Sequence, residues 1–442
     1  MDISLLILTH NRKEYLQQTL TSICQQKTGG ICFEVVIIDD GSSDGTKRIV
    51  QEFSDKIENL VYVYHEHDGV NIAKCRNQAL GNSHGQIVCF IDSGVVLRED
   101  FIKQHCRMHQ GENVPDVVIG RVIGFEVCLG DSLFVENYNP NEIQESISRI
   151  SGIEHFEDRR MASYHYFKDS FQNMPTPWHY FWTCNVSWKR IGKWKEVWFD
   201  EKISSWGMED VELGYRLKKM GAAFEYNTEA VALHVPHDTH EDVERKASQD
   251  NENLMYFYRK HKCSETEMYA YGRMYTHNEI VQNFLERTKK RIRNEKIVDI
   301  GIELHNAIIL GGGGLQIKGL SIKPVIVDYE EKFSKIKEEN YRAGLGADIQ
   351  SADNAFDEVI IWDYWSYISN TLLWSVLKES VRVGKYVYVL VEMKDNNNES
   401  LFHVQEEKKI ELCNILLVYG RKYKEITITL SGGERLQYIQ TI

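Results

Sequence analysis

Four apolar runs in the first hundred residues, at 3–8, 33–38, 60–64 and 87–91, are separated by segments of helical period at 13–24, 46–53 and 71–80. Uninterrupted apolar runs of this length suit strands buried on both faces, and their regular alternation with helices predicts a parallel α/β sheet. Such a sheet restricts where a ligand can sit, because the crevice lies outside the carboxyl ends of the strands. Thr9, Asp39, Asp40 and Asp92 all fall at those ends.

Further along, residues 113–200 lose this rhythm and become rich in aromatics, with HYFWTCNVSW at their centre, and read as loops and short strands around a site. Residues 239–295 carry helical period without strand signals and read as a helical linker or bridge. A second α/β pattern opens near residue 296: KIVDIGI, KPVIVDY, FDEVIIWDY and KYVYVLVEM are strand-like, and 370–382 is helical. The expected organisation is therefore a first domain at 1–238, a bridge at 239–295 and a second domain at 296–442. No internal repeat stands out; the glycines at 311–314 and the NNN at 396–398 are the nearest to low complexity.

A chain of 442 residues is long enough for two or three folded units. Its hydrophobic and charged fractions, 42% and 26%, are ordinary for globular proteins, and 6 prolines leave little room for extended disordered tracts. The formal charge of −13 opposes non-specific binding to nucleic acid or an anionic membrane, so any phosphate needs a local site. No apolar segment approaches the roughly 18 residues of a membrane span, and the opening run is too short for a signal-peptide core. The nine cysteines contain no CxxC pair. Reduced thiols in a soluble, cytoplasmic protein are the expectation.

Three segments carry candidate chemistry. DDGSSDGT ends a buried strand with Asp39 and Asp40 beside small residues that let a ligand approach the backbone; a carboxylate there can accept hydrogen bonds from a uracil imide or a ribose hydroxyl, or simply close an ordinary turn. CFIDSGVVL is a second strand ending in one carboxylate, Asp92, followed by Ser93 and Gly94, which by itself suits a helix cap or a turn. FDEKISSWGMEDVELGYRLKKMG places Glu209 and Asp210 where a glycine turn meets a helix. Acids in a first helical turn are favoured by the dipole, yet with Trp206 and Gly207 before them they also suit a base held against a sugar. Downstream, VALHVPHDTH supplies His234, His237 and His240. A neutral imidazole is a common metal ligand, and Asp92 with His234 would suit Mn²⁺ or Mg²⁺ beside a diphosphate.

In this order and spacing, LLILTHNR, VVIIDDGSSDGT, GVNIAKCRNQAL, GQIVCFIDSG, FWTCNVSWKR and FDEKISSWGMEDVELGYRLKKMG resemble a family 2 glycosyltransferase of the A-type, nucleotide-binding fold, over roughly residues 1–240. The last segment is similar to the WGxED motif of galactosyltransferases, polypeptide N-acetylgalactosaminyltransferases and bacterial polysaccharide polymerases. The resemblance implies an inverting transfer of a hexose or N-acetylhexosamine from a UDP-sugar. It implies a nucleotide-sugar site at Thr9, Asn11, Asp39, Asp40, Arg76, Asp92, Ser93, Trp206 and Gly207, with Asp210 as general base and Glu209 beside it. It also implies a divalent cation at Asp92 and His234, although Gly94 stands where the family's second metal-ligating acid is expected, so Arg76 or a lysine could serve instead. The acceptor is left as a glycan or a peptide Ser or Cys side chain.

The C-terminal region resembles a Rossmann-like methyltransferase in KIVDIG and in FDEVIIWDYWSYI, but GIELHN replaces the glycine-rich turn that brings a nucleotide close to the backbone. It is expected to be a degraded, catalytically silent accessory domain that binds acceptor or forms a homodimer. A UDP-sugar-binding scaffold without turnover and a bifunctional glycosyltransferase/methyltransferase are the competing readings.

Overall fold

The computed structural model describes residues 1–67, 69, 71–112, 114–237, 243–272 and 276–289, and further on 297–298, 304–311, 316–317, 323–329, 340–392, 412, 414, 422–429 and 435–441. The chain divides into two compact units, Met1–Phe257 and Tyr258–Ile442. The glycines at 312–314, the loop at 301–303, His240 and the NNN at 396–398 lie outside the described residues.

The first unit opens with β1 (Ile3–Thr9), α1 (Lys13–Cys24), β2 (Phe33–Asp40), α2 (Thr46–Ser54), β3 (Leu60–His65), α3 (Ile72–Gly81) and β4 (Ile87–Asp92). These strands lie parallel in the order β3-β2-β1-β4. The strands are apolar on both faces because both are covered: Leu5, Ile7, Val35 and Ile37 meet Leu16, Leu20 and Ile23 of α1, and Leu6, Val36 and Ile38, whose side chains alternate to the other face, are equally buried; Ser4 and Glu34 interrupt the runs and hydrogen-bond to each other at 2.5 Å.

Beyond β4 come β5 (Val95–Leu97), α4 (Phe101–Met108), β6 (Val117–Ile123), α5 (Ser132–Asn137), α6 (Ile143–Ile150), α7 (Arg160–Tyr166), β7 (Val186–Lys189), α8 (Glu209–Lys219) and β8 (Phe224–His234). The full eight-stranded order is β3-β2-β1-β4-β7-β6-β8-β5. The sheet is thus mixed, not wholly parallel: β7 runs antiparallel to both β4 and β6, and β5 antiparallel to β8. The stretch read as loops and short strands also contains α5, α6 and α7.

The helices of the stretch read as a bridge divide between the units. α9 (Val243–Lys260) begins in the first, whereas α10 (Ser264–Gly272) and α11 (His277–Lys289) belong to the second, where Met268, Val281 and Phe284 join its core. The described sheet of the second unit runs Tyr341–Ala343, Val325–Asp328, Ala307–Leu310, Phe356–Ile361, Gly384–Glu392, Arg435–Thr441, Tyr423–Thr429. Numbered in chain order this is 3-2-1-4-5-7-6, the first five parallel and the last two antiparallel. α12 (Asn370–Val383) covers it with Leu372, Leu373 and Val376. Among the described residues, no helix is long and apolar enough to cross a membrane.

Candidate active site

The carboxyl edge of β3-β2-β1-β4 presents its polar residues in register: Thr9 pairs with Asp39, Leu8 with Asp92 and Asp40 with His65. Asp39 and Asp40 have separate tasks. Asp39 is fully buried, its Oδ1 accepting from Ser42 N at 2.8 Å and its Oδ2 from the Tyr62 hydroxyl at 2.6 Å, so both oxygens are occupied in closing the DGSS turn. Asp40 is partly exposed and faces His67 Nδ1 at 2.8 Å and His65 Nδ1 at 3.4 Å. Asn11, in the left-handed region at φ 50°, ties two loops together: its N–H donates to Ser42 Oγ and its Oδ1 accepts from Ser43 N, each at 2.8 Å. Thr9 Oγ1 and Ser93 Oγ are buried with no hydrogen-bond partner in the protein. Buried hydroxyls in that state normally await a ligand or water.

Arg76 reaches this crevice from α3. Its guanidinium is buried between the rings of Phe90 and Phe199, 5.6 and 5.7 Å from their centroids, and donates from Nη2 to Glu209 Oε1 at 3.2 Å. Arg76 Nε and Glu209 Oε2 remain unpartnered. Asp210 is held by backbone N–H groups, Oδ1 by Val211 at 2.7 Å and Oδ2 by Thr183 at 3.3 Å. Burial raises the pKa of both acids, to about 7 for Glu209, where the neighbouring Asp210 adds to the rise; Arg76 opposes it in both and Asp92 reinforces it. Four of the expected residues, Arg76, Asp92, Glu209 and Asp210, therefore share one electrostatic environment.

The turn before α8 is tightly specified. Gly207 and Met208 both have positive φ, 97° and 72°, and a β-carbon on Gly207 would lie 2.5 Å from Asp250 Oδ1. Asn253 of α9 fastens the turn through Nδ2, which lies 3.0 Å from Ser205 Oγ, 3.1 Å from the Trp206 carbonyl and 2.9 Å from that of Gly207. Trp206 itself projects outward, 45% exposed, near the Lys246 ammonium.

For a divalent cation, the chain offers Asp92 and His234. His234 sits on β8 opposite Val95, two residues beyond Ser93, and burial drives its pKa down to about 3, leaving a neutral imidazole whose Nδ1 is buried and unpartnered. Its ring lies 5.2 Å from that of His237, whose own pKa is lowered by burial and by the Arg12 charge, with Asp92 opposing. A carboxylate and a neutral imidazole are a donor set that fits Mn²⁺ or Mg²⁺ if diphosphate oxygens and water complete the shell. Gly94 has φ 103°, and a β-carbon there would touch Tyr15 at 3.4 Å, so the second acid is missing where the backbone is itself left-handed.

Several contributors are not visible in the sequence pattern. Arg12, its pKa lowered by burial against the pull of Asp92, faces the latter from the loop after β1. His65, His67 and Tyr62 on the two aspartates, the Thr183 N–H on Asp210 and Asn253 on the turn come from distant segments. Only Arg12 had a local signal, its place in THNR at a strand end.

A pair of acids with raised proton affinity, the guanidinium of Arg76 and unpartnered buried hydroxyls at the carboxyl edge of a sheet are features that catalytic clefts share. Residues 4–183 match the family model described as Glycosyl transferase family 2. Validoxylamine A glucosyltransferase of Streptomyces hygroscopicus subsp. limoneus is 32% identical over 243 residues, 54% of this chain and 53% of that protein. Chondroitin synthase of Pasteurella multocida is 27% identical over 337 residues, 69% of this chain and 33% of that protein. The chain thus spans about half or less of the length of these curated relatives. Among solved structures, S. aureus TarS 1–349 in complex with UDP aligns over 98% of this chain and 96% of that one, with a TM-score of 0.44 and 15% identity.

Proposed function

We propose that the first unit transfers a hexose or N-acetylhexosamine from a UDP-sugar to an acceptor nucleophile with inversion. Asp40 faces the uracil with Thr9 beside it, Asp39 and Asn11 hold the loops that frame the base, and Arg76, Ser93 and Asp92 attend the diphosphate. Asp210 takes the acceptor's proton as the nucleophile displaces the diphosphate from the opposite face of the sugar. The observation that carries this reading is the position of Asp210: held by two backbone N–H groups at the start of α8, within the field of Arg76 and Asp92, and raised in proton affinity by burial. A carboxylate so placed is oriented by groups that need not move during reaction, and its raised pKa makes it a stronger base.

Glu209 is partnered by Arg76, which suits a role in positioning that guanidinium more than a direct grip on the sugar. A divalent cation, where bound, would be held by Asp92 and His234 and would supply positive charge to the leaving diphosphate. Gly207 shapes the turn, and Trp206 is left to border the acceptor side. The acceptor is a glycan or a peptide Ser or Cys side chain. The second unit, with five parallel strands in a doubly wound order, serves as a Rossmann-like accessory domain that binds acceptor or pairs with a second copy.

Slow hydrolysis of a panel of UDP-sugars tests the donor without knowledge of the acceptor; one or two donors are expected to release UDP well above the others. In Asp210→Asn turnover should fall by about 10²- to 10⁴-fold, while UDP still raises the thermal midpoint. Undiminished turnover in that variant removes Asp210 as the base. Mass spectrometry after incubation with glycans and with Ser- or Cys-containing peptides then identifies the acceptor class.

A further inference from the structure

Adjacent parallel strands lie about 4.8 Å apart, so residues that leave three neighbouring strands at the same edge arrive within ligand distance of one another. At the ends of β1, β2 and β3 this brings together His10, Asp40, His65 and His67. His10 and His67 are exposed or nearly so, and their rings lie 4.7 Å apart at a 33° tilt. One ligand atom from each of His10, Asp40 and His67 falls within 4.8 Å of the other two.

The surroundings orient this trio. His10 Nδ1 is 2.5 Å from the Asp40 carbonyl oxygen, a contact that only an N–H can make. The lone pair of the neutral ring is therefore on Nε2, where it faces Asn11 Nδ2 at 3.1 Å. A histidine that donates one ring nitrogen to a backbone carbonyl and keeps the other as acceptor has the arrangement usual for metal-ligating imidazoles. Asp40 is oriented in the same way: its Oδ2 meets His67 Nδ1 at 2.8 Å, while His65 approaches Oδ1 from behind at 3.4 Å and meets Cys75 Sγ through Nε2, also at 3.4 Å. Two imidazoles and one carboxylate suit a borderline cation of the zinc class, with a fourth position for water.

We propose that His10, Asp40 and His67 form a transition-metal site at the mouth of the crevice, selective for a zinc-class ion and separate from the diphosphate cation at Asp92 and His234. The ion takes the place of the proton shared by His67 Nδ1 and Asp40 Oδ2, which leaves to solvent. His65 and Cys75 act from behind Asp40 as positioning residues. Resting on the reading that Asp40 also receives the uracil, the ion and the nucleotide exclude each other, which makes the site inhibitory.

The test uses the full, tag-free chain and Zn²⁺ in competition with a chromophoric chelator, without nucleotide. One equivalent is expected to bind, with affinity reduced at least about tenfold in His67→Ala and again in His10→Ala, and largely kept in Cys75→Ser. Binding that is absent, or indifferent to both histidine substitutions, overturns the site; loss in Cys75→Ser with retention in His67→Ala overturns the choice of ligands. Adding saturating UDP should then weaken Zn²⁺ binding. If UDP binds the metal-free protein and Zn²⁺ affinity does not change, the exclusion is wrong while the sugar-nucleotide reading stands; if UDP does not bind the metal-free protein, that reading fails while the metal site stands.

Discussion

Arg76 and Glu209 form a buried pair in which each partner keeps one polar atom unsatisfied, and the acid's pKa of about 7 places its ionisation in the physiological range. Below that pH, Glu209 carries its proton and leaves the full charge of Arg76 to a diphosphate; above it, the carboxylate neutralises the guanidinium. UDP affinity should accordingly weaken as pH rises through about 7, and Glu209→Gln should remove that weakening. Comparing the two proteins at each pH by calorimetry cancels the titration of UDP itself, and parallel curves would show that the pair is not coupled to the nucleotide. The residues of this cluster were legible because each sits at a recognisable place in a short motif: Asp92 at a strand end, Arg76 in AKCRN, and Glu209 and Asp210 after WGM. What could not be read was how neighbouring acids divide the work. Asp39 and Asp40 are chemically identical and adjacent, and only the Tyr62 hydroxyl and the Ser42 N–H, brought by the fold, distinguish the closed one from the available one.

At the scale of elements, the start of α8 depends on a turn that the helix does not build for itself. Two consecutive residues in the left-handed region are costly for Met208, and the three contacts from Asn253 hold them there. Asn253→Ala should lower stability by about 1 to 3 kcal/mol in denaturant titrations, because the freed carbonyls are partly buried. Gly207→Ala, which drives a methyl toward Asp250, should cost turnover more than it costs UDP affinity, since it displaces Asp210 and not the nucleotide edge. Equal losses in both would place the turn's role elsewhere. The strands and helices of the first hundred residues matched their apolar periods closely because each is long enough to show its repeat. By contrast α5, α6 and α7 have only 6, 8 and 7 residues, about two turns each, too few for helical period to stand out from a loop rich in aromatics.

For the whole molecule, two compact units, each with buried apolar residues of its own, predict two calorimetric transitions, with UDP raising only that of the first unit. The second unit carries its own titrating keystone. Glu267 of α10 is buried and accepts from Leu345 N at 2.6 Å and Ala347 N at 2.5 Å, while burial raises its pKa to about 7. A folded carboxyl that holds its proton more tightly than the unfolded one stabilises fully below about 4.5, and that contribution is lost as pH rises toward 7. The second transition should therefore move to lower temperature over that window, and Glu267→Gln should flatten the trend; an unchanged slope would rule Glu267 out as its source. Sequence periodicity could not assign the helices at 264–289, whose apolar faces look alike whether they bridge units or complete one.

Gly94 carries a lesson for anyone who would re-engineer the cleft. Its φ of 103° means that an acid introduced there by a single substitution would be strained, although a β-carbon would meet Tyr15 only in ordinary contact at 3.4 Å. An aspartate grafted there would enter in a backbone conformation that L-residues resist, with its first carbon already against an aromatic wall. Giving this cleft a two-acid metal grip would begin with rebuilding the bend after β4, and only then introduce the carboxylate.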